Sequence, residues 1–391
     1  MTAAAPSPGW DPAPICRWLL TDGRMLPDLD AVTVELGQRL KSAGAPVWRL
    51  RLSMRVLHPL TTAVSAVWED GSREAEHIST AHGLETQPSY TGSPLAYINE
   101  TSQPYRKLLE APLGSGDHKI LHELKVRGAT DYYGLRVLFR SGNGCIPVFV
   151  TCRAGGFTDA DIAAFHRISE TLAPIAEVYC LQIISAAVAE AYLGRRSGRR
   201  VLSGQITRGH IDTLQSAILI SDIRGWTTLN ARLGAAAALA LANRYFGIMG
   251  AAVEDHGGEI LKLTGDGVLA VFPAEGIDAA AACRNALSAA RAAFSAAAGA
   301  EPALGISFGI GLHFGEVLYG NVGSDTRLDF TAMGPAVNAA ARIEGLCGDL
   351  GQPLLCSEDF AELAGGRFRE AARRQLKGET QARRVFTAGP A

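Results

Sequence analysis

The chain reads as two α+β domains joined by a long helix, on three observations. It has 391 residues, more than one hydrophobic core usually supports. Residues 28–157 carry strand-like runs separated by turn signals, the pattern of an antiparallel sheet with helices. From 214 onward strand runs alternate with helical periods. That second pattern predicts an α/β sandwich of ferredoxin-like type, with helices laid on one face of a sheet.

Composition supports two folded domains. Apolar residues make up 47% and charged residues 19%, which excludes a largely disordered chain. Lys and Arg number 37 against 39 Asp and Glu, so no basic excess marks a general nucleic-acid binder. A local anion site stays open. Cys16, Cys145, Cys152, Cys180, Cys283, Cys347 and Cys356 form no CxxC pair and no metal spacing. They read as reduced cytosolic thiols. The opening MTAAAPSPGWDPAP lacks the basic and apolar regions of a secretory signal. Ala235 to Val253 is broken by Asn243 and Arg244 and falls short of ~18 uninterrupted apolar residues. A soluble cytoplasmic protein with no membrane partner is expected.

In chain order, residues 1–24 are Pro- and Ala-rich, and 1–27 is expected as a flexible tail. Leu29 to Leu40 has helical spacing. Val47 to Val56, Thr61 to Trp68, Tyr132 to Phe139 and Ile146 to Cys152 read as strands. Segment 83–117, rich in Gly, Pro, Ser and Thr, is expected as a long excursion of the kind that lines ligand pockets. Thr158 caps a helix with acids in its first turn. Apolar residues continue at 3–4 spacing to Leu193, about nine turns, long enough to pack on a copy of itself. Gly194 to Arg200 is Arg-rich; its bland reading is a solvated linker, and it reads as the junction between domains within a helical linker and transducer spanning 158–212.

The last domain, 213–391, begins with a buried strand at Ala217 to Ser221. Leu229 to Val253 supplies the face of one long helix. Glu259 to Thr264 and Val268 to Phe272 flank Gly265-Asp266-Gly267. An Ala-rich helix runs from Asp278 to about Ala298. Ser307 to His313 and Glu316 to Tyr319 read as a hairpin, and Pro335 to Leu346 as a helix.

Four features can carry chemistry. Ser221-Asp222-Ile223-Arg224-Gly225-Trp226-Thr227 puts a carboxylate at a strand end before a helix start. Such a turn offers backbone N–H groups to phosphate, and its Asp can hold a divalent cation. Lys262 to Gly267 puts Asp266 in a hairpin tip, although Asp-Gly is also an ordinary turn. The two carboxylates, 44 positions apart, can meet at one edge of the sheet. Hard-oxygen ligands with open positions suit Mg²⁺ that also binds substrate phosphates. Asn338 and Arg342 stand at i and i+4 on one helix face, with small Ala residues between them. Leu376-Lys377-Gly378 is weak alone.

Together with Gly311-Leu312-His313-Phe314-Gly315-Glu316, these motifs resemble the catalytic domain of class III nucleotidyl cyclases, over about 213–388. The resemblance implies an adenylate cyclase, a lyase that converts ATP to 3′,5′-cyclic AMP and pyrophosphate. Asp222 and Asp266, with the Ile223 carbonyl, would ligate two Mg²⁺ or Mn²⁺ ions. Asn338 would orient the ribose, Arg342 would stabilise the α-phosphate, and Lys377 would bind the terminal phosphates. Gly225, Trp226 and Thr227 would line the phosphate turn. Lys262 and Thr331 would read the purine: a Lys donates to adenine N1, and a Thr hydroxyl accepts from the adenine amino group. Many adenylate cyclases have Asp where this chain has Thr331, but a known subset has Thr there, and the Lys262/Thr331 pair resembles that subset. Guanylate cyclases typically have Glu in place of Lys262. A guanylate cyclase and a non-catalytic nucleotide-binding scaffold remain the alternatives.

The family builds its sites between two chains, so a homodimer is implied. Gly309 to Gly315 superficially resembles a dinucleotide fingerprint, but its spacing is wrong. His313 reads as a strand residue. The first domain resembles sensor domains of the GAF type, through Gly128-Ala129-Thr130-Asp131-Tyr132-Tyr133 and Gly156-Phe157-Thr158. That implies an unidentified small-molecule signal, passed along the long helix.

Overall fold

The computed structural model describes residues 9–56, 58–59, 61–83, 86–207, 209, 211–299, 306–375 and 381–388. The chain divides into two compact units, Met1–Val188 and Ala189–Ala391. The division falls inside the long helix.

The first unit opens with α1 (Ala13–Leu20), a 3-10 turn (Gly23–Met25) and α2 (Leu29–Ser42). The expected loose tail is not what residues 9–27 form. Trp10, Ile15, Trp18 and Leu19 are buried in the core, and the Trp10 indole donates to Asp161 at 2.8 Å. The Pro/Ala composition hid four large apolar anchors. Strands β1 (Arg49–Arg55), β2 (Thr61–Glu69) and β3 (Glu76–Ala81) follow. Next come α3 (Pro94–Thr101), β4 (Tyr105–Leu108), α4 (Lys119–Val126), β5 (Asp131–Gly134), β6 (Val137–Leu138) and β7 (Gly144–Thr151). The excursion over 83–117 is therefore partly regular, holding α3 and β4. The sheet runs β3-β2-β1-β7-β5-β4, with β6 on β7. Every pairing in it is antiparallel.

The alternation of β1 sorts its residues. Leu50, Leu52 and Met54 enter a core with Leu36, Leu40 and Phe165, while Arg49, Arg51 and Arg55 take the other face. Helix α5 (Asp159–Leu193) is 35 residues long. Thr158 caps it as expected: its hydroxyl accepts from the Asp161 N–H at 3.2 Å, and the Asp161 carboxylate accepts from the Thr158 N–H at 2.9 Å.

The second unit begins with α6 (Arg195–Leu202), so the Arg-rich run is helical and packed at Ser197 and Gly198, not simply solvated. Its anchors are specific. Ser197 is fully buried, its N–H donates to Glu259 and its hydroxyl meets the Tyr319 hydroxyl. Arg200 pairs with Asp212 at 2.5 Å, and Arg196 with Glu275. Then come β8 (Ile211–Ile223), α7 (Trp226–Leu233) and α8 (Ala235–Asp255). The single helix expected over Leu229 to Val253 is broken at Gly234. Strands β9 (Glu259–Thr264) and β10 (Gly267–Pro273), α9 (Ala279–Gly299), β11 (Phe308–Gly323), β12 (Leu328–Met333) and α10 (Pro335–Asp349) follow. The unit closes with β13 (Leu354–Ser357), α11 (Glu358–Ala364), β14 (Phe368–Gln375) and β15 (Ala382–Ala388).

The hairpin expected around Phe314-Gly315 is one 16-residue strand, β11. Gly315 is not a turn residue there. A Cβ on it would stand 2.9 Å from the Ala336 side chain, so Gly lets α10 lie against the strand. The sheet runs β14-β15-β13-β11-β8-β10-β9, with β12 on β11. Within it the β8-α8-β9-β10-α9-β11 succession takes the spatial order β11-β8-β10-β9, and those neighbours are all antiparallel. Tyr245, Met249 and Val253 of α8 pack with Phe272, Ala286 and Phe308 beneath the sheet.

Helices α5 and α8 are each long and apolar enough to cross a membrane by length and composition. By sequence Ala235 to Val253 is expected to be too interrupted for that, yet a stretch of α8 reaches the required mean hydropathy despite Asn243 and Arg244. Each helix buries one face in the core of its unit, Phe165, Ile168 and Leu172 for α5.

Candidate active site

Asp222 is the last residue but one of β8, an inner strand, and stands opposite Gly267 of β10 and Gly309 of β11. The turn between β9 and β10 is the two-residue Gly265-Asp266, closed by the Thr264–Gly267 pair. Gly265 sits at φ 65°, a conformation that favours Gly. This turn delivers Asp266 against Asp222, as expected from their positions at strand ends. Burial first, then the Asp266 charge and contact with its side chain, push the Asp222 carboxyl up to about 6. The Ile223 N–H and the Arg224 guanidinium oppose that shift. Ile223 itself is buried, so it offers the site its backbone and not its side chain.

A third carboxyl, which sequence reasoning missed, faces the same pair. Glu344 on α10 is pushed up to about 7, by burial first and then by Asp222. A Cβ on Gly309 would meet Glu344 Oε1 and Arg224 Nη2, both at 2.8 Å, and one on Gly311 would meet the Glu344 backbone at 2.4 Å. The two glycines of β11 thus seat this turn of α10 on the sheet. That Gly-x-Gly spacing was the available signal. Among the described residues no group of three or more His, Cys, Asp or Glu is arranged to hold a metal ion. Glu344 therefore does not complete a three-carboxylate ligand set.

Two crowded carboxylates without a cation are a poor arrangement by themselves. The donor set suits a divalent ion: hard carboxylate oxygens and few protein ligands. Gly225 is exposed at the start of α7 and Thr227 is exposed beside it. Trp226 is half-buried and packs on the core below the sheet.

The remaining candidates fall into two other groups. Lys262, exposed on β9, donates to Asp329 of β12 at 2.9 Å. Thr331, two residues along that strand, stands opposite Gly320. Asn338 and Arg342 line a cleft of about 1050 Å³ with His313, Glu316 and the arginines of the β14–β15 hairpin. His313 is a strand residue, as expected, and its Nδ1 meets the Ser357 hydroxyl at 2.7 Å. Asp222, Asp266 and Lys262 do not line this cleft. The reason is helical geometry. Arg342 and Glu344 are two positions apart, ~200° around the helix, so α10 sends one to the cleft and the other toward the carboxylates. Lys377 lies outside the described residues.

Residues 212–385 match the family described as the adenylate and guanylate cyclase catalytic domain. The adenylate cyclase of Anabaena cylindrica is 36% identical over 154 residues, which are 38% of this chain and 31% of that protein. Adenylate cyclase 1 of Rhizobium meliloti is 34% identical over 144 residues, 36% of this chain and 22% of that protein. The chain thus spans about a third or less of these curated relatives. A solved adenylyl cyclase of P. aeruginosa, CyaB, is 26% identical over 45% of this chain and 94% of that one, with a TM-score of 0.41. The second unit carries a catalytic domain of the class III adenylate/guanylate cyclase family.

Proposed function

We propose that the chain is an adenylate cyclase, forming 3′,5′-cyclic AMP and pyrophosphate from ATP at sites shared by two copies, under control of its first unit. The observation that carries the reading is the Asp222–Asp266 pair, two carboxyls held together at adjacent strand ends in a cyclase-family domain. With the Ile223 carbonyl they would hold Mg²⁺ or Mn²⁺, which when bound supplies charge neutralisation and acidifies a coordinated hydroxyl. Asn338 holds the ribose. Arg342, whose forked donors suit charge growing on the α-phosphate, would stabilise it. Lys377 would take the terminal phosphates. Lys262 donates to adenine N1, an atom that in guanine carries a proton, and Thr331 accepts from the adenine amino group. Asp329 holds the Lys262 ammonium beside the strand of Thr331. No protein nucleophile is required, since the attacking hydroxyl belongs to the substrate.

The separation of Asp222 and Asp266 from Arg342 by α10 supports the shared site. One chain then supplies the carboxylates and its partner supplies Lys262, Thr331, Asn338, Arg342 and Lys377, an isologous arrangement. The β11-β8-β10-β9 order supports a ferredoxin-like core. The antiparallel first sheet, with helices on it, supports a GAF-like sensor. Seven free thiols support a reducing, cytoplasmic setting. The test is product analysis of the purified chain with Mn²⁺ and either ATP or GTP. Cyclic AMP as the main product is expected. Cyclic GMP as the main product overturns the base assignment, and no product from a folded dimer overturns the enzyme.

A further inference from the structure

The first unit holds a cavity of about 260 Å³ that the cyclase chemistry does not use. Its floor is the face of β1 that bears Arg49, Arg51 and Arg55. By alternation alone that face belongs to solvent, because Leu50, Leu52 and Met54 already fill the core. Here it is roofed by α3, by α4 and by the segment leading into α3. Lys119 adds a fourth fixed cation to the lining, and Glu123 is the single carboxylate in it among the described residues.

Two donors in this lining have no partner. Arg51 gives Nη2 to the Ser65 hydroxyl at 3.0 Å, but its Nε is shut off from solvent and unbonded. His118 caps α4, where Nδ1 accepts from the Ile120 N–H at 3.3 Å. That fixes the neutral ring proton on Nε2. His118 Nε2 is also buried and unbonded. Burial lowers the Arg51 guanidinium from its ordinary value, outweighing Tyr132 and Glu76, which raise it. Burial lowers Arg49 as well, although Glu69 pairs with it at 3.3 Å. Beside these donors the wall is apolar: Ile146 and Val148 of β7 line the same space. Buried donors, excess positive charge and an apolar wall describe a site for an anion with a hydrophobic body.

We propose that this cavity binds a small organic anion, its carboxylate or phosphate head on Arg51 and His118 and its apolar body on Ile146 and Val148. The assignment is independent of the cyclase reading, since binding is measured without turnover. Isothermal titration of the full chain with benzoate, phenyl phosphate and neutral benzamide tests it. At least one anion should bind tenfold or more tighter than benzamide, and the tighter of the two names the head group. Arg51→Met should weaken that anion at least tenfold. His118→Asn, which keeps a good helix cap and removes Nε2, should do the same and keeps the test open if Arg51→Met fails to fold. Arg342→Ala should leave the affinity unchanged. Benzamide binding as tightly as the anions, no anion binding to the folded chain, or an affinity lost in Arg342→Ala but kept in both first-unit variants would overturn the proposal.

Discussion

Glu259 and Asp266 stand seven residues apart on the β9–β10 hairpin, and their surroundings are opposites. Glu259 is 7% exposed, yet both its oxygens are answered. The Ser197 N–H donates to one at 2.9 Å and the Tyr319 hydroxyl to the other at 2.8 Å. Arg196 and Arg200 lie over the Tyr319 ring and spread positive charge nearby. Asp266 meets Asp222 instead, a like charge. A carboxylate completed by its own chain holds structure together. A carboxylate set against another carboxylate must take up a proton or a cation. The same hairpin thus fastens α6 at one end and presents a like-charge pair at the other.

The contrast breaks most visibly in turnover. Asp222→Asn should lower cyclic nucleotide formation at least ~10³-fold, while the protein without divalent ions becomes more stable, since the like-charge conflict is gone. A steady-state assay beside thermal melts in a chelator checks both halves. Glu259→Ala should act the other way. It leaves the Ser197 N–H unanswered in the interior and the Tyr319 hydroxyl with the Ser197 hydroxyl alone, and should cost about 2–4 kcal/mol by denaturant unfolding, with Tyr319→Phe costing less.

The pH dependence sharpens the same point. Asp222 and Glu344 have carboxyls raised to about 6 and about 7. Their protonated forms suit the folded state, so the contribution is fully present below about pH 4. It is lost as pH rises from about 4 through 7, where both must ionise in place. Metal-free protein should therefore lose about 1–3 kcal/mol across that window, and Mn²⁺ should restore stability at its upper end. Smallest of all is Asp329→Asn. Its bridge to Lys262 is exposed, so stability should change within about 1 kcal/mol, while the ATP-to-GTP preference shifts a few-fold as Lys262 loses its guide.

What was legible in the sequence follows locality. Asp222 and Asp266 sit in strand-turn segments whose geometry is set within a few residues, so their meeting could be read from spacing. Thr158 as a helix cap was legible for the same reason. Gly315 and Gly234 misled because glycine serves turns, helix breaks and close approaches alike; which one applied depended on Ala336 and on the packing of α7 and α8. The Arg51 cavity was hidden, because β1 alone reads as an ordinary half-buried strand and its roof arrives from residues 89–124. The Arg-rich stretch before β8 looked solvated for want of Glu259 and Tyr319, which lie far along the chain. Glu344 was overshadowed by Arg342, two positions before it.

The central claim is that the carboxylate pair and Arg342 act from different chains. Asp222→Ala and Arg342→Ala chains, each inactive alone, should recover cyclic AMP formation when mixed, because each heterodimer holds one intact site. If the mixture stays inactive while heterodimers form, the shared site is wrong.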